Sequence, residues 1–286
     1  MAINWFPGHM AKTRREIKEN LKFVDVVIEL RDARIVRSSA NPEIEEICGD
    51  KPRIILLNKS DLAEEKTTND WIKKLSNENT RALAVNSLTG AGLNNIKPLI
   101  NNLLKEKHER LKKKGLVNII TRAMIVGIPN VGKSSFINKM AKNNIAKTGD
   151  RPGVTKSRQW IKTSLGFELM DTPGILWPKF EDAAALSLAF TGAIKDEIMD
   201  VEELAVKLVE VLQRDYADRL IKRYKLEKVE ETPLETLDAI AKKRGCIIAG
   251  GNIDYNRIAV LLLDEFRGGK LGNISLERPF DLETEQ

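Results

Sequence analysis

Short, continuous apolar runs punctuate the first part of the chain. VDVVIEL (Val24 to Leu30), RIILL (Arg53 to Leu57), ALAV (Ala82 to Val85), AMIVG (Ala123 to Gly127) and FELM (Phe167 to Met170) each read as a strand buried on both faces. Segments with helical spacing lie between them, as at Asp70 to Asn77 and Leu93 to Leu111, and a polar helix is expected to end near Asn20. Strands alternating with helices predict an α/β domain with a mainly parallel sheet. After about Trp177 the pattern changes. Val201 to Tyr224, Leu234 to Lys243 and Ile253 to Phe266 carry helical periodicity with few strand candidates, which predicts a smaller α-helical domain. The boundary is expected near residue 178, giving domains over 1–178 and 179–286, the second ending in a linker and a loose acidic tail, LERPFDLETEQ.

Composition narrows this picture only slightly. At 286 residues, 42% hydrophobic and 31% charged, the chain has the make-up of a folded protein of two domains and not of a disordered one. The N-terminus lacks the apolar core of a signal peptide, and no run approaches the roughly 18 residues of a membrane helix, so a cytoplasmic protein without a membrane partner is expected. Cys48 and Cys246 have no paired spacing and read as reduced packing residues. Nothing suggests an extensive oligomer interface, so a monomer is expected. The net charge of +6 is unevenly placed: seven Lys/Arg meet two Glu between Lys105 and Arg122, and seven meet only Asp150 between Lys139 and Lys162.

The chemistry sits at the ends of the predicted strands. GIPNVGKSS, Gly127 to Ser135, fits G-x-x-x-x-G-K-S between a strand and a helix. Its glycines let the backbone wrap phosphate oxygens, and the amides from Asn130 through Val131, Gly132, Lys133, Ser134 and Ser135 face negative charge at a helix start. Lys133 would neutralise the β and γ phosphates, and the Ser134 hydroxyl would reach Mg2+. DTPG follows at Asp171 to Gly174, where the Asp171 carboxylate would reach the same metal and the Gly174 amide the γ phosphate. NKSD (Asn58, Lys59, Ser60, Asp61) ends the second strand; the Asp61 carboxylate can accept from both guanine N1 and N2, a donor pair that adenine lacks. Asn86 and Ser87 would contact the base from above. Thr155, with Thr148 as runner-up, would complete the magnesium shell.

Together these motifs match the signature set of the Ras-like translation-factor class of GTPases, but in rotated order: NKSD, NS, GIPNVGKS, Thr155, DTPG. Such a circular permutation leaves the sheet intact, because the ligand contacts lie on loops at the carboxyl ends of strands. The cut falls between DTPG and the strand at Val24 to Leu30. The chain resembles the circularly permuted ribosome-assembly GTPases, most closely the ribosome biogenesis GTPase A (YlqF-like) group. The resemblance is carried by NWFPGHM, RDAR at Arg31 to Arg34, SANP at Ser39 to Pro42, NKSD, GIPNVGKSS, RPGVT, DTPGILWPKF and FRGGKLG. It implies a circularly permuted P-loop GTPase domain followed by a helical domain. It also implies hydrolysis of GTP to GDP and phosphate in maturation of the large (50S) ribosomal subunit, with the helical domain helping to bind ribosomal RNA. Val36, Ile128 and Asn86 depart from the group's pattern without removing a phosphate or guanine contact.

Ile175 stands where Ras-like enzymes place the water-orienting glutamine, so turnover by the protein alone is expected to be slow. His9, on the Pro-Gly turn of FPGHM, is the candidate to orient water in its stead, with a packing role as the other reading. Asn130 resembles the asparagine with which potassium-dependent GTPases hold a K+ ion beside the phosphates; turn geometry explains it equally. Three basic clusters, Arg219 to Lys228, Lys242 to Arg244 and Arg267 to Lys270, are candidates for RNA phosphates. The competing reading is a GTP-dependent binding switch for a non-ribosomal partner, with incidental hydrolysis.

Overall fold

The computed structural model describes residues 7–142, 160–172, 182–194, 196 and 199–279, with residues 7–13 as backbone only. They form two compact units, one comprising Asn4–Lys179 with Glu277–Gln286 and the other Phe180–Leu276.

The first unit is built on six strands: β1 (Val26–Asp32), β2 (Arg53–Asn58), β3 (Thr80–Ala84), β4 (Arg122–Gly127), β5 (Trp160–Lys162) and β6 (Glu168–Met170), in the order β3-β2-β1-β4-β6-β5. All pairings are parallel except that of β5 with β6. The expected mainly parallel sheet is therefore present. All seven residues of β1 are buried, because helices cover both faces of a central parallel strand. Ile17 of helix α1 (Pro7–Asn20) and Ile44 and Cys48 of α2 (Pro42–Cys48) pack on Val27, Met124 and Val126. Trp71 of α3 (Glu65–Leu75) packs on Ile55, Leu57 and Ala82. The register places all these sheet positions on one face, since Val27 lies opposite Met124 and Glu29 opposite Ile55. Burial pushes the Cys48 thiol up to about 11, as befits a reduced packing residue.

From β1 the chain winds outward through β2 to β3, then restarts with β4 on the other side of β1. That reversal between β1 and β4 is a topological switch point, where open α/β sheets leave a crevice at the strands' carboxyl ends. The helical stretch expected from Leu93 to Leu111 is instead a short 3₁₀ turn followed by α4 (Ile96–Leu103) and α5 (Lys105–Lys113), broken at Leu104.

The second unit holds α7 (Asp182–Phe190), α8 (Val201–Asp215), α9 (Ala217–Tyr224), α10 (Pro233–Arg244) and α11 (Tyr255–Arg267); α6 (Lys133–Met140) belongs to the first. Local signals explain most of the ends. Asp200 caps α8 through the amides of Glu202 and Glu203, Thr232 and Glu235 form a capping box on α10, and Gly245 closes α10 in the left-handed region. The expected helix across 201–224 is broken at Tyr216, whose buried hydroxyl donates to Ser275 O at 2.8 Å. The apolar faces of α8, α10 and α11 meet in one core around Leu208, Leu212, Leu237, Ile240 and Leu262.

The described part of the segment expected as a loose tail, residues 276–279, departs from that reading. Glu277 is buried in the first unit, where its carboxylate accepts from Arg37 N (2.6 Å), Ser38 N (3.1 Å) and the Ser38 hydroxyl. The indole of Trp71 donates to Glu277 O at 3.1 Å, and the Lys74 ammonium donates to Pro279 O. Hydrogen-bond donors waiting on the first unit, invisible in the local sequence, fix this segment.

Candidate functional site

Each described guanine- or phosphate-type motif lies at the carboxyl end of a parallel strand. β4 ends at Gly127 and runs into the loop that opens α6; β2 ends at Asn58, β6 just before Asp171, and β3 just before Asn86. The loop after β4 borders an open depression of about 540 Å3, whose walls include Asn130, Lys133, Ser134, Asp171 and Thr172. That volume suits a ligand pocket. Asn130 (φ 56°) and Gly132 (φ 104°) both take left-handed backbone, which turns the strand sharply into the helix. At Gly132 space also dictates glycine, since a Cβ would lie 2.3 Å from Asn58 Nδ2.

Lys133 curls back over this loop and donates to Gly127 O and Ile128 O, both at 2.9 Å. Burial lowers its pKa to about 8, with the Asp171 charge pulling the other way. The Asp171 carboxyl is raised by burial against the opposing influence of Lys133 and the Thr172 amide. Thr172 anchors the end of β6 by donating from its hydroxyl to Ile125 O at 2.6 Å. Ser134 is exposed at the helix start, facing the same depression as Asp171. A hydroxyl and a carboxylate are hard oxygen donors of the kind magnesium takes, so the residues present fit that metal.

The guanine-motif residues divide their labour in a way the sequence did not announce. Asn58 is buried and both ends of its amide are engaged: Nδ2 donates to Val131 O at 2.8 Å and Oδ1 accepts from Ser87 N at 2.9 Å. It braces the phosphate-type loop against the loop after β3. Lys59, in left-handed backbone, reaches Asn130 O at 3.1 Å and the Asp32 carboxylate at 3.0 Å. Ser60 ties back to Val85 O through its hydroxyl at 3.0 Å. Asp61 is the middle residue of a 3₁₀ turn (Ser60–Leu62) and is exposed. Asn86 folds its own loop, accepting on Oδ1 from Leu88 N and Thr89 N at 2.8 and 3.0 Å. The Ser87 hydroxyl is buried and has no partner among the described residues.

Sequence reasoning missed one contributor. Asp32, at the end of β1, is buried and accepts from the amide (3.1 Å), Nε (2.9 Å) and Nη2 (2.8 Å) of Arg34, besides Lys59. Burial works against its ionisation, yet the charges of Arg34 and Lys59 and the Arg34 hydrogen bonds outweigh it and hold the carboxyl far below its ordinary range. Three charged residues closing an apolar strand, Arg31, Asp32 and Arg34 in RDAR, were the available signal. Thr155, Thr148, Gly174 and Ile175 lie outside the described residues; His9 lies in α1, and its side chain is likewise outside them.

The basic clusters of the helical unit are partly committed to acids. Glu265 is buried and clamped by Arg223 (2.8 and 2.7 Å) and by Arg244, whose guanidinium also lies over the Tyr224 ring at 5.8 Å. Arg267 pairs with Asp196 at 2.7 Å and donates to Ala189 O and Phe190 O. Lys222, Lys225, Lys242, Lys243 and Lys270 remain exposed.

Comparison with known proteins resolves what class of site this is. The family model of the 50S ribosome-binding GTPases matches residues 122–248, beginning with β4 and the loop after it. Ribosome biogenesis GTPase A of Bacillus licheniformis is 52% identical over 99% of this chain and 100% of its own length. The chain belongs to the ribosome biogenesis GTPase A family. The Thermotoga maritima relative of the same name is 31% identical over 98% of this chain and 96% of its own. The GDP-bound structure of Thermotoga maritima YlqF covers 93% of this chain and 100% of its own, at 29% identity and a TM-score of 0.65. The GNP-bound YlqF from the same organism gives 30% identity and a TM-score of 0.63. As a member of this family the chain is a circularly permuted GTPase that binds and hydrolyses GTP, with Mg2+ as the usual metal, and serves ribosome assembly. No helix among the described residues is long and apolar enough to cross a membrane.

Proposed function

We propose that this chain hydrolyses GTP at the carboxyl end of its sheet while assisting maturation of the large (50S) ribosomal subunit. The observation carrying this reading is the Asn58 brace, which holds the phosphate-type loop and the loop after β3 in one piece beside Asp61. In this assignment the amides from Asn130 to Ser135 wrap the phosphates and Lys133 exchanges its two carbonyl partners for phosphate oxygens. The Asp61 carboxylate selects guanine, with Asn86 and Ser87 shaping the wall above the base, while Asn58 and Lys59 hold the loops in place. Ser134 and Asp171 hold Mg2+, completed by Thr155, and Gly174 presents its amide to the γ phosphate. The metal supplies charge neutralisation along the phosphates.

Ile175 cannot orient water, so His9 takes that role, with slow turnover until a ribosomal subunit completes the site. Asn130 holds a K+ ion that shares the electrostatic work. The exposed lysines of the helical unit contact ribosomal RNA, and the protein works as a cytoplasmic monomer. The GTPase domain spans residues 1–178 and the helical RNA-binding domain 179–286 with its linker and acidic tail, a division supported by the break between the compact units at Lys179 and Phe180, although the units group Glu277–Gln286 with the first. The relatives' names, and the GDP- and GNP-bound titles of the Thermotoga maritima structures, support this reading.

The deciding experiment is GTP turnover in potassium buffer, alone and with purified large or small subunits, with Lys133→Ala as control. Stimulation by large subunits alone supports the proposal, and His9→Ala should then abolish the stimulation while sparing GTP binding. Tight GTP binding without stimulation by either subunit would favour a binding switch for a non-ribosomal partner.

A further inference from the structure

The densest run of positive charge in the first unit is absorbed by none of the roles above. Between Lys105 and Arg122 stand seven Lys/Arg and two Glu. Lys107 pairs with Asp25, and Arg122 pairs with Glu168 while lying over the Trp160 ring at 4.6 Å. Lys105, Arg110, Lys112, Lys113 and Lys114 are exposed, and no described carboxylate pairs with them.

Beside them lies a polar cavity of about 210 Å3. Water occupies about 30 Å3 per molecule in the liquid, so this is room for an anion with its hydration and more than a packing gap. The cavity is assembled from two helices at helical spacing. Lys97 and Asn101 of α4, and His108 and Lys112 of α5, are each four residues apart and line it together. Thr121, just before β4, closes the base with its hydroxyl 3.3 Å from His108 Nε2. Gly166 forms another wall with left-handed backbone (φ 83°), where a Cβ would come within 3.1 Å of Lys97 Nζ. Among the described residues, no acidic side chain lines the cavity.

Thr121 and Glu168 sit at the amino ends of β4 and β6, which places this cavity at the opposite end of the sheet from the guanine and phosphate loops. It is therefore not part of the nucleotide site. Two lysines, an imidazole, an amide and a hydroxyl offer donors to a tetrahedral oxyanion. The exposed Lys105, Arg110 and Lys113, with Lys114 at the C-cap, outnumber the exposed Glu106 and Glu109 and extend a net positive surface along about 13 Å of α5, at 1.5 Å per residue over its nine residues. A single small anion would leave that extension unused; a polyanion chain would use all of it.

We propose that this cavity and the outer face of α5 form a second RNA-binding site, seating one backbone phosphate between Lys97 and Lys112 and further phosphates along α5. The inference rests on the ribosomal reading above. It gives the protein two separate holds on RNA, one on each compact unit, so that the GTPase unit grips the particle by itself.

The test uses the full chain, labelled large-subunit ribosomal RNA and intact large subunits, titrated from ~50 to ~300 mM KCl. Replacing both cavity lysines, Lys97→Gln with Lys112→Gln, is expected to lower the slope of log affinity against log salt by about 0.7 to 0.9, one phosphate contact's worth. Affinity near physiological salt should fall about tenfold or more, with GTP affinity and melting temperature unchanged. The pair Lys97→Glu with Lys112→Glu should weaken binding further. Lys222→Gln with Lys242→Gln, in the helical unit, is the comparator. Should the wild type bind neither RNA nor subunits, the ribosomal reading falls and takes this site with it. Wild-type binding that weakens with the comparator pair but is indifferent to both cavity pairs overturns this site alone. Loss of subunit binding with intact binding to naked RNA would overturn the RNA assignment in favour of an acidic protein surface.

Discussion

Asn58→Ala tests the brace most directly. The substitution deletes two hydrogen bonds, the donation to Val131 O at 2.8 Å and the acceptance from Ser87 N at 2.9 Å. Both partners sit in a shell with little solvent, Val131 at 1% and Ser87 at 3% exposure, so water cannot readily replace the lost amide. A buried polar group left unpaired costs about 1–3 kcal/mol, and two of them about 2–6 kcal/mol before relaxation. We take about 3 kcal/mol after the loops adjust. The penalty falls on the arrangement with both loops in register and is escaped when they part and hydrate. Guanine-nucleotide affinity should therefore drop about 100-fold, at 1.4 kcal/mol per factor of ten. Fluorescent GDP titration measures it, with a denaturant melt as the check on folding. Gly132→Ala should give a similar loss by another route, because its Cβ would drive into Asn58 Nδ2. A folded Asn58→Ala protein that binds GDP within about threefold of wild type would refute the reasoning, since the bonds would then be worth under about 1 kcal/mol.

Other predictions rest on separate features. Asp61→Asn replaces a double acceptor with an amide and should weaken GTP binding by about 100-fold or more while improving xanthosine triphosphate, whose O2 accepts where guanine N2 donates; equal loss for both nucleotides in competition assays would count against the role. The Lys133 pKa of about 8 means that phosphates must reprotonate the amine above that pH, so GDP affinity should fall about fourfold from pH 7 to pH 8.5 with matching proton uptake by calorimetry; a flat profile would contradict it. Burial raises the Glu277 carboxyl above 4.5 despite its hydrogen bonds from Ser38 and Arg37. The folded state then holds the proton more tightly than the unfolded one. Its contribution to stability is greatest below about pH 4.5 and declines as pH rises through the folded value, and Glu277→Gln should remove that component from denaturant melts. Glu265→Ala removes the shared acceptor of Arg223 and Arg244, and because both arginines are about one-third exposed the cost should stay near 2–3 kcal/mol; an unchanged melt would show the clamp to be idle.

Much of the site was legible because its chemistry is local. Continuous apolar runs predicted β1, β2, β3, β4 and β6, and the turn residues after them marked where ligand loops begin. The order of the motifs along the chain showed the permutation without any coordinates. Other elements left no such trace. β5 is three residues long, with both apolar side chains only partly buried, so it carries no periodicity to detect. α2 was missed although Asn41 and Pro42 supply a cap and a helix-starting proline, because seven residues are too few for the apolar spacing to register.

What only the tertiary structure decided is which atom each buried polar group meets. Asn58 looks like a base contact in the motif and becomes a brace because Val131 and Ser87, 73 and 29 residues away, come to its two ends. Glu277 looks like solvated tail and becomes buried because the amides of Arg37 and Ser38, 240 and 239 residues upstream, donate to its carboxylate. The break at Tyr216 is coupled to Ser275, and the cavity beneath α5 exists only once α4, α5 and the turn at Gly166 are brought together. Apolar burial is written in local spacing, since any apolar neighbour will serve. A buried hydrogen bond is directional and needs one particular partner, and where that partner lies is settled only when the whole chain has folded.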